Sequence, residues 1–221
     1  MKIVCISDTH SMHGRVFMPP GDVLIHAGDA TAIGKPEECL AFINWFHAQP
    51  YRYKLFVPGN HDFGFDRDGW LRNLVHDPKR GAHLLIDREI EINGLHFYGS
   101  PWVPNLEGWA FYGDELLLTL KFAKIPDRTN VLITHGPPEG LMDDCGSHVG
   151  SRELKRRLEQ LWPIGNLKLH VFGHIHEGYG RQNGSVNAAI CTREYKPTNL
   201  PIVVELPKIP QQLNQRSSRN E

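Results

Sequence analysis

Seven side chains with metal-donor chemistry stand in five short islands: Asp8 with His10, Asp29, Asn60, His135, and His174 with His176. Oxygen and imidazole donors suit hard or borderline divalent cations. Asp8 and His10 are two residues apart, so on an extended segment both side chains point to one side and can meet at one ion. Asp29 follows Gly28, where the backbone can turn closely around a site. Its two carboxylate oxygens can bridge ions about 3.5–4 Å apart. Asn60 ligates without adding charge. His174 and His176 repeat the two-residue step, though an intervening turn could direct the two rings to different ions; each ring would be held through its other nitrogen. Taken singly, each motif has a plain reading: Gly-Asp as a turn, Asn60 as a cap, His10 or His135 as a surface histidine. Taken together, each after a short apolar run, they describe a two-ion hydrolytic centre.

The elements that must position these donors are legible as short buried strands. Lys2–Ser7 is β-branched and continuous, as a strand covered on both faces should be. Residues 22–26 repeat the pattern, and 53–57 give a third strand stopped by Pro58-Gly59. A helix entered through Pro36 fills 35–48 with Leu40, Ile43, Trp45 and Phe46 as its apolar residues. This strand–helix alternation predicts a largely parallel sheet whose carboxyl ends carry the site. Further on, Asn93-Gly94 marks a hairpin between 88–92 and 95–98. Helices follow at 114–122 and at 151–161, the second with Ser151 as N-cap. Strands are expected at 130–134 and 167–172, then antiparallel ones at 185–191 and 201–206.

Composition bounds the rest. The 221 residues suit one domain, taken as 1–206, with a disordered tail at 207–221 whose Pro, Gln, Asn, Ser and Arg bury little apolar area. A formal net charge of −1 offers no footprint for duplex nucleic acid or an anionic membrane. The opening residues carry no signal-peptide pattern, no apolar run approaches a membrane span, and the four cysteines form no C-x-x-C pair. A cytoplasmic protein with reduced thiols is the expectation, Cys5 and Cys191 serving as small buried hydrophobes. Thirteen histidines exceed what packing requires.

The order Asp8-x-His10, Gly28-Asp29, Gly59-Asn60-His61-Asp62, His135, Gly173-His174-x-His176 resembles the calcineurin-like metallophosphoesterase superfamily over roughly residues 1–206. Residues 21–29, 99–102, 148–151 and 171–180 are similar to its metallophosphoesterase-domain-containing group, whose members resemble class III cyclic-nucleotide phosphodiesterases. The resemblance implies an α/β fold (α+β by some schemes), a four-layer α/β/β/α sandwich of two mixed sheets flanked by helices. It assigns Asp8, His10, Asp29 and His176 to one ion and Asp29, Asn60, His135 and His174 to the other, with Asp29 bridging. Manganese is favoured, with iron, zinc, nickel or cobalt as alternatives. A water between the ions would attack phosphorus in line. His61 would protonate the leaving oxygen or bind the phosphate, and Asp62 would orient its imidazole. Some animal members of the group have glycine at the position of His174, so the histidine here implies a complete site.

The implied function is a dinuclear metal-dependent phosphodiesterase acting on a small phosphodiester or nucleotide, cyclic nucleotides included. Phosphomonoesterase or nuclease activity is the alternative, and a non-catalytic scaffold of the same fold is a third reading. The near-neutral charge weakens a nuclease. Protein phosphatases of the superfamily continue Gly-Asp with Val-Asp-Arg-Gly, whereas Ala30-Thr31-Ala32 follows here, which turns away from phosphoprotein substrates. Two segments suit substrate contacts. Trp102, Trp109, Phe111 and Tyr112 could stack on a nucleobase or close a core edge, with Trp102 the chosen contact. His148, ahead of the helix at Ser151, could meet a phosphate.

Overall fold

The computed structural model describes residues 1–207, so the expected tail lies, from residue 208 on, outside the described residues. The chain runs β1 (Lys2–Ile6), β2 (Val23–His26), α1 (Pro36–Ala48), β3 (Tyr53–Phe56), the short helices α2 (Phe63–Arg67) and α3 (Gly69–Val75), and β4 (Ala82–Leu84). It continues through β5 (Arg88–Ile92), β6 (Leu95–Ser100), α4 (Glu115–Phe122), β7 (Val131–Thr134), α5 (Arg152–Ile164), β8 (Leu169–Phe172), β9 (Gly180–Gln182), β10 (Ser185–Asn187) and β11 (Ile202–Glu205). The first sheet has the order β11-β1-β2-β3-β4 and the second β5-β6-β7-β8-β10-β9. Inner strands pair in parallel, while β11, β5 and β9 run antiparallel to their neighbours, so both sheets are mixed.

Alternation along the strands explains the layers. Ile3, Cys5, Val23, Ile25 and Leu55 face Phe97, Val131, Ile133, Leu169 and Val171 in a core between the sheets. The residues between them face outward. Val4, Ile6, Leu24 and Phe56 pack on Phe42, Phe46, Phe65, Leu71 and Val75 of α1–α3. Tyr98 and Leu132 pack on Leu118 and Phe122 of α4 and Leu154, Leu158 and Leu161 of α5. Strands buried on both faces lose the hydrophobic–polar alternation of a half-exposed strand, which is why β1, β2, β7 and β8 read as continuous apolar runs. The result is the four-layer α/β/β/α sandwich. Among the described residues no helix is long and apolar enough to cross a membrane.

Local signals account for the joints. Asn93 and Gly94 have φ of 52° and 79°, the left-handed pair that a tight hairpin between β5 and β6 requires. Asp114 caps α4 by accepting from the Leu117 N–H at 2.8 Å, and Ser151 caps α5 through the Leu154 N–H at 3.1 Å. Two expectations need correction. The strand β10 is parallel to β8, not antiparallel, because the short antiparallel β9 lies between them in sequence and carries the reversal. On α1, Leu40 faces outward; Cys39, Phe42, Ile43 and Phe46 form the buried side. Cys5 and Cys191 are buried as expected, and burial pushes both thiols up to about 12.

Candidate metal centre

All the donor islands lie at one end of the sandwich, just past the carboxyl ends of β1, β2, β3, β7 and β8. The two sheets meet there. Ser7 and Ala189 form a parallel bridge, and the Ile190 N–H donates to the Ser7 carbonyl at 2.8 Å. Asp8, His10 and His176 bring ligand atoms together in one group, and Asp29, His135 and His174 in a second; Asp29 also groups with His10 and His61. Asn60 joins the second group, its Oδ1 lying 2.9 Å from His135 Nε2. The structure thus brings all seven expected donors and His61 into one cluster, with Asp29 central.

The route to that cluster differs from the extended two-residue step. Asp8, His10, Asp29 and His174 have φ of 53°, 41°, 53° and 69°, in the left-handed region that non-glycine residues rarely occupy. Left-handed turns, not strand alternation, aim these side chains, and such strain persists only where the surroundings enforce it. The enforcement is visible. The His174 N–H donates to both Asp8 carboxylate oxygens at 3.1 and 2.9 Å, and the His61 N–H donates to Asp29 Oδ1 at 2.8 Å. Glycine is required at two close approaches: a Cβ on Gly59 would stand 2.3 Å from Asp29 Oδ1, and one on Gly173 would stand 2.0 Å from Asp8 Oδ2.

Hydrogen bonds to backbone carbonyls fix which imidazole nitrogens face the cluster. A carbonyl only accepts, so His135 Nδ1 donates to Ala27 at 2.9 Å and His176 Nδ1 donates to Thr192 at 2.9 Å. Their Nε2 atoms therefore point inward. His135 Nε2 faces Asn60 Oδ1 and, at 3.3 Å, Asp29 Oδ1; His176 Nε2 faces His10 Nε2 at 3.3 Å. A buried cluster of carboxylates, an amide oxygen and inward-facing imidazole nitrogens is satisfied by protons on the imidazoles or by cations in their place. The donor set therefore fits divalent cations: Asp8, His10 and His176 would hold one and Asp29, His135 and His174 another, with Asn60 beside the second group. Charge effects agree. Burial opposes ionisation of Asp29, yet the surrounding imidazoles, His135 foremost, hold it far below the usual carboxylate range. Burial lowers His135, but the Asp29 carboxylate overrides it and holds the imidazole at about 9. Burial and the neighbouring His135 charge push His174 down to about 4.

Three residues take other roles than expected. Asp62 does not orient the His61 imidazole; His61 Nδ1 donates to the Ala32 carbonyl at 2.6 Å instead. The Asp62 carboxylate is wholly buried and accepts from the N–H groups of Ala30, Thr31 and Gly59 and from the Thr31 hydroxyl, at 2.7–3.2 Å. It ties the turn after β2 to the turn after β3, and no spacing rule identifies Thr31 as its partner. Burial and the Asp29 charge push this carboxyl up to about 6 against those hydrogen bonds. Trp102 is not at the cavity: its indole N–H donates to the Asp87 carboxylate at 3.0 Å, and Lys121 lies 3.9 Å over its ring. A half-buried indole needs an acceptor, and Asp87 supplies it. His148 is likewise elsewhere, bonded at 2.7 Å to Asp143 and lining a separate cavity with Asp114, Glu139 and Arg152.

The cavity over the donors measures about 350 Å³ and is bounded beyond them by Leu106, Trp109, Cys145, Ile175, Glu177, Arg193 and Tyr195. Of this rim, Trp109 alone belongs to the aromatic segment expected to meet substrate. Arg193 and Tyr195 sit on a turn with no motif to announce it.

The calcineurin-like phosphoesterase family matches residues 1–178. The human metallophosphoesterase domain-containing protein 1 is 40% identical over 237 residues, covering 93% of this chain and 71% of its own length. A Haemophilus influenzae protein, the 3′,5′-cyclic adenosine monophosphate phosphodiesterase CpdA, is 27% identical over 71% of this chain and 55% of its own. Among solved structures, TT1561 of Thermus thermophilus superposes with a TM-score of 0.60 at 13% identity, over 84% of this chain and 88% of that one. That likeness carries the fold alone. The family implies a hydrolase of phosphoric esters with divalent metal ions in a dinuclear centre, the arrangement these donors fit. The chain belongs to the calcineurin-like phosphoesterase family.

Proposed function

We propose that this phosphoesterase is a phosphodiesterase for small phosphodiesters, cyclic nucleotides among them, working with two Mn²⁺ ions. The observation that carries the reading is the cavity rim. Beyond the donors its one arginine, Arg193, is already paired with Glu177 at 3.5 Å, and the remaining wall is largely apolar, through Leu106, Trp109, Ile175 and Tyr195. A singly charged diester with two organic substituents suits such a wall. A doubly charged monoester would meet Glu177 and no free cationic side chain among the described lining residues. The likeness to a bacterial cyclic-nucleotide phosphodiesterase supports the same choice.

Divalent cations in these donor sets would lower the pKa of a bound water and neutralise phosphoryl charge. The chain's own residues do the rest. Asp29 anchors the His61 backbone, and the Ala32 carbonyl fixes the proton on His61 Nδ1. That leaves Nε2 at the cavity, 4.0 Å from Asp29 Oδ2; in the imidazolium form Nε2–H would give its proton to the leaving oxygen and leave the neutral ring with its proton on Nδ1. Asp62 keeps the turns bearing Asp29 and Asn60 at one separation. The test is turnover of bis-p-nitrophenyl phosphate against p-nitrophenyl phosphate, with Mn²⁺, Fe²⁺, Zn²⁺, Ni²⁺ and Co²⁺ varied. A higher kcat/KM for the diester with Mn²⁺ is expected; preference for the monoester would reverse the choice.

A further inference from the structure

Two of the rim residues are large aromatics that solvent reaches. Trp109 lays its indole against the His61 imidazole with ring centres 4.7 Å apart, and remains 39% exposed. Tyr195 sets its ring edge-on to His10 and His176 at 4.8 and 5.2 Å, and remains 51% exposed. His61 and His10 are themselves 4.7 Å apart. The exposed rings therefore end a chain of four, Trp109, His61, His10 and Tyr195, that crosses the donor cluster.

Backbone bonds hold both ends in place. The Ala110 N–H donates to the Asn60 carbonyl at 3.3 Å, and the Val103 N–H to the Phe111 carbonyl at 3.0 Å, which fixes the Trp109 loop over the donors. Tyr195 closes a turn through its N–H to the Thr192 carbonyl at 2.8 Å, and that same carbonyl orients His176. At φ 56° Tyr195 is left-handed, a costly conformation for a bulky side chain where glycine or asparagine would sit freely. The strain presents a ring to the cavity mouth and does not fill a core. Such a cost points to function when the outlier itself is observed.

The geometry points to Trp109 and Tyr195 as an aromatic clamp for a planar nucleobase, held while the phosphodiester lies at the donor cluster. The assignment rests on the phosphodiester reading above and narrows it to nucleotidyl esters. Every base has a π-face, so the clamp selects nucleoside over alkyl substituents without choosing among bases.

Two chromogenic diesters with a common leaving group test it: thymidine 5′-(p-nitrophenyl) phosphate and methyl p-nitrophenyl phosphate. Metal-loaded protein should favour the thymidine ester through a lower KM. Trp109→Ala or Tyr195→Ala should cut that preference about 5- to 150-fold, the span of one base–aromatic stack. Tyr195→Phe should keep it. Tyr195→Gly, which suits the left-handed backbone, should fold with an unchanged or higher Tm and still lose the preference, separating the ring from the turn. A second readout needs no turnover: calorimetric binding of adenosine 5′-monophosphate against methyl phosphate. Tighter binding of the nucleotide that weakens in both alanine variants upholds the clamp. Preference and affinity ratios unchanged by either variant overturn it. Nucleotide binding through Trp109 and Tyr195 without turnover of either diester would sink the phosphodiesterase reading and leave the clamp standing.

Discussion

The two sheets contribute different kinds of donor to the centre. The first supplies both carboxylates and the amide, Asp8, Asp29 and Asn60, with His10 and His61 beside them; the second supplies imidazoles alone, His135, His174 and His176. Their support differs as well. The first end braces itself, since Asp62 accepts four hydrogen bonds from the turns after β2 and β3. The second end leans on the first: His135 Nδ1 reaches the Ala27 carbonyl, and the His174 N–H reaches the Asp8 carboxylate. A break in the first sheet's end should therefore disturb both ion sites and the fold, whereas a break in the second should empty a site and leave the fold standing.

The sharpest test is Asp29→Asn, which keeps the shape and removes the shared charge. Hydrolysis should fall roughly a thousandfold or more, about 4 kcal/mol of transition-state stabilisation. In metal-free protein the His135 imidazole should drop from about 9 toward or below its ordinary value, because burial then acts without the carboxylate that opposed it. Histidine titration by NMR reads this directly, and an unmoved His135 would show that Asp29 is not its partner. Next comes Asp62→Ala. It strands buried N–H groups at Ala30, Thr31 and Gly59, each unsatisfied donor costing about 1 kcal/mol or more, so a loss near 3 kcal/mol is expected. Thermal melts and metal content should fall together. An unchanged Tm would mean that the first end is not self-braced.

The sequence made the donors legible because each follows a doubly buried strand, so an apolar run followed by Asp, Asn or His stands out in β1, β2, β3, β7 and β8. The helices α1 and α5 and the Asn93-Gly94 hairpin were legible for similar local reasons. The roles of Asp62, Thr31 and Thr192 were not. Side-chain bonds to backbone groups some 30 residues away, as from Asp62 to Thr31 and from His61 to Ala32, leave no periodicity to read. Trp102 shows the same limit: four aromatics in 101–113 announced a wall, but only the Asp87 acceptor decided that Trp102 would turn away while Trp109 faced the donors. Three-residue strands such as β4 and β9 are too short to show alternation, so the direction of β10 was missed with them.

On the second sheet, His174→Ala and His176→Ala should each weaken metal binding about a hundredfold, near 3 kcal/mol for one site, while Tm of the metal-free protein shifts little. Equilibrium dialysis and melts would check both halves of that statement, and a collapse of the metal-free fold would erase the contrast between the sheets.

The smallest effect concerns a feature the sheets share. His26 on β2 and His170 on β8 are wholly buried on the outward faces, each bonding a threonine hydroxyl through Nε2, Thr9 at 3.0 Å and Thr134 at 2.9 Å. Burial pushes both down to about 3. A histidine lowered on folding binds its proton more readily when unfolded, so its contribution is whole above about 6.5 and fades as pH falls toward 3. Each should steepen the acid limb of stability by up to about 1.4 kcal/mol per pH unit over that window. His170→Gln lies in the sheet that brings no carboxylate to the centre, and should flatten the limb by one histidine's share without altering metal content. Denaturant melts from pH 7 to 4 would show it; a slope unchanged by His170→Gln would mean that His170 is not held neutral by its burial between β8 and the helices above it.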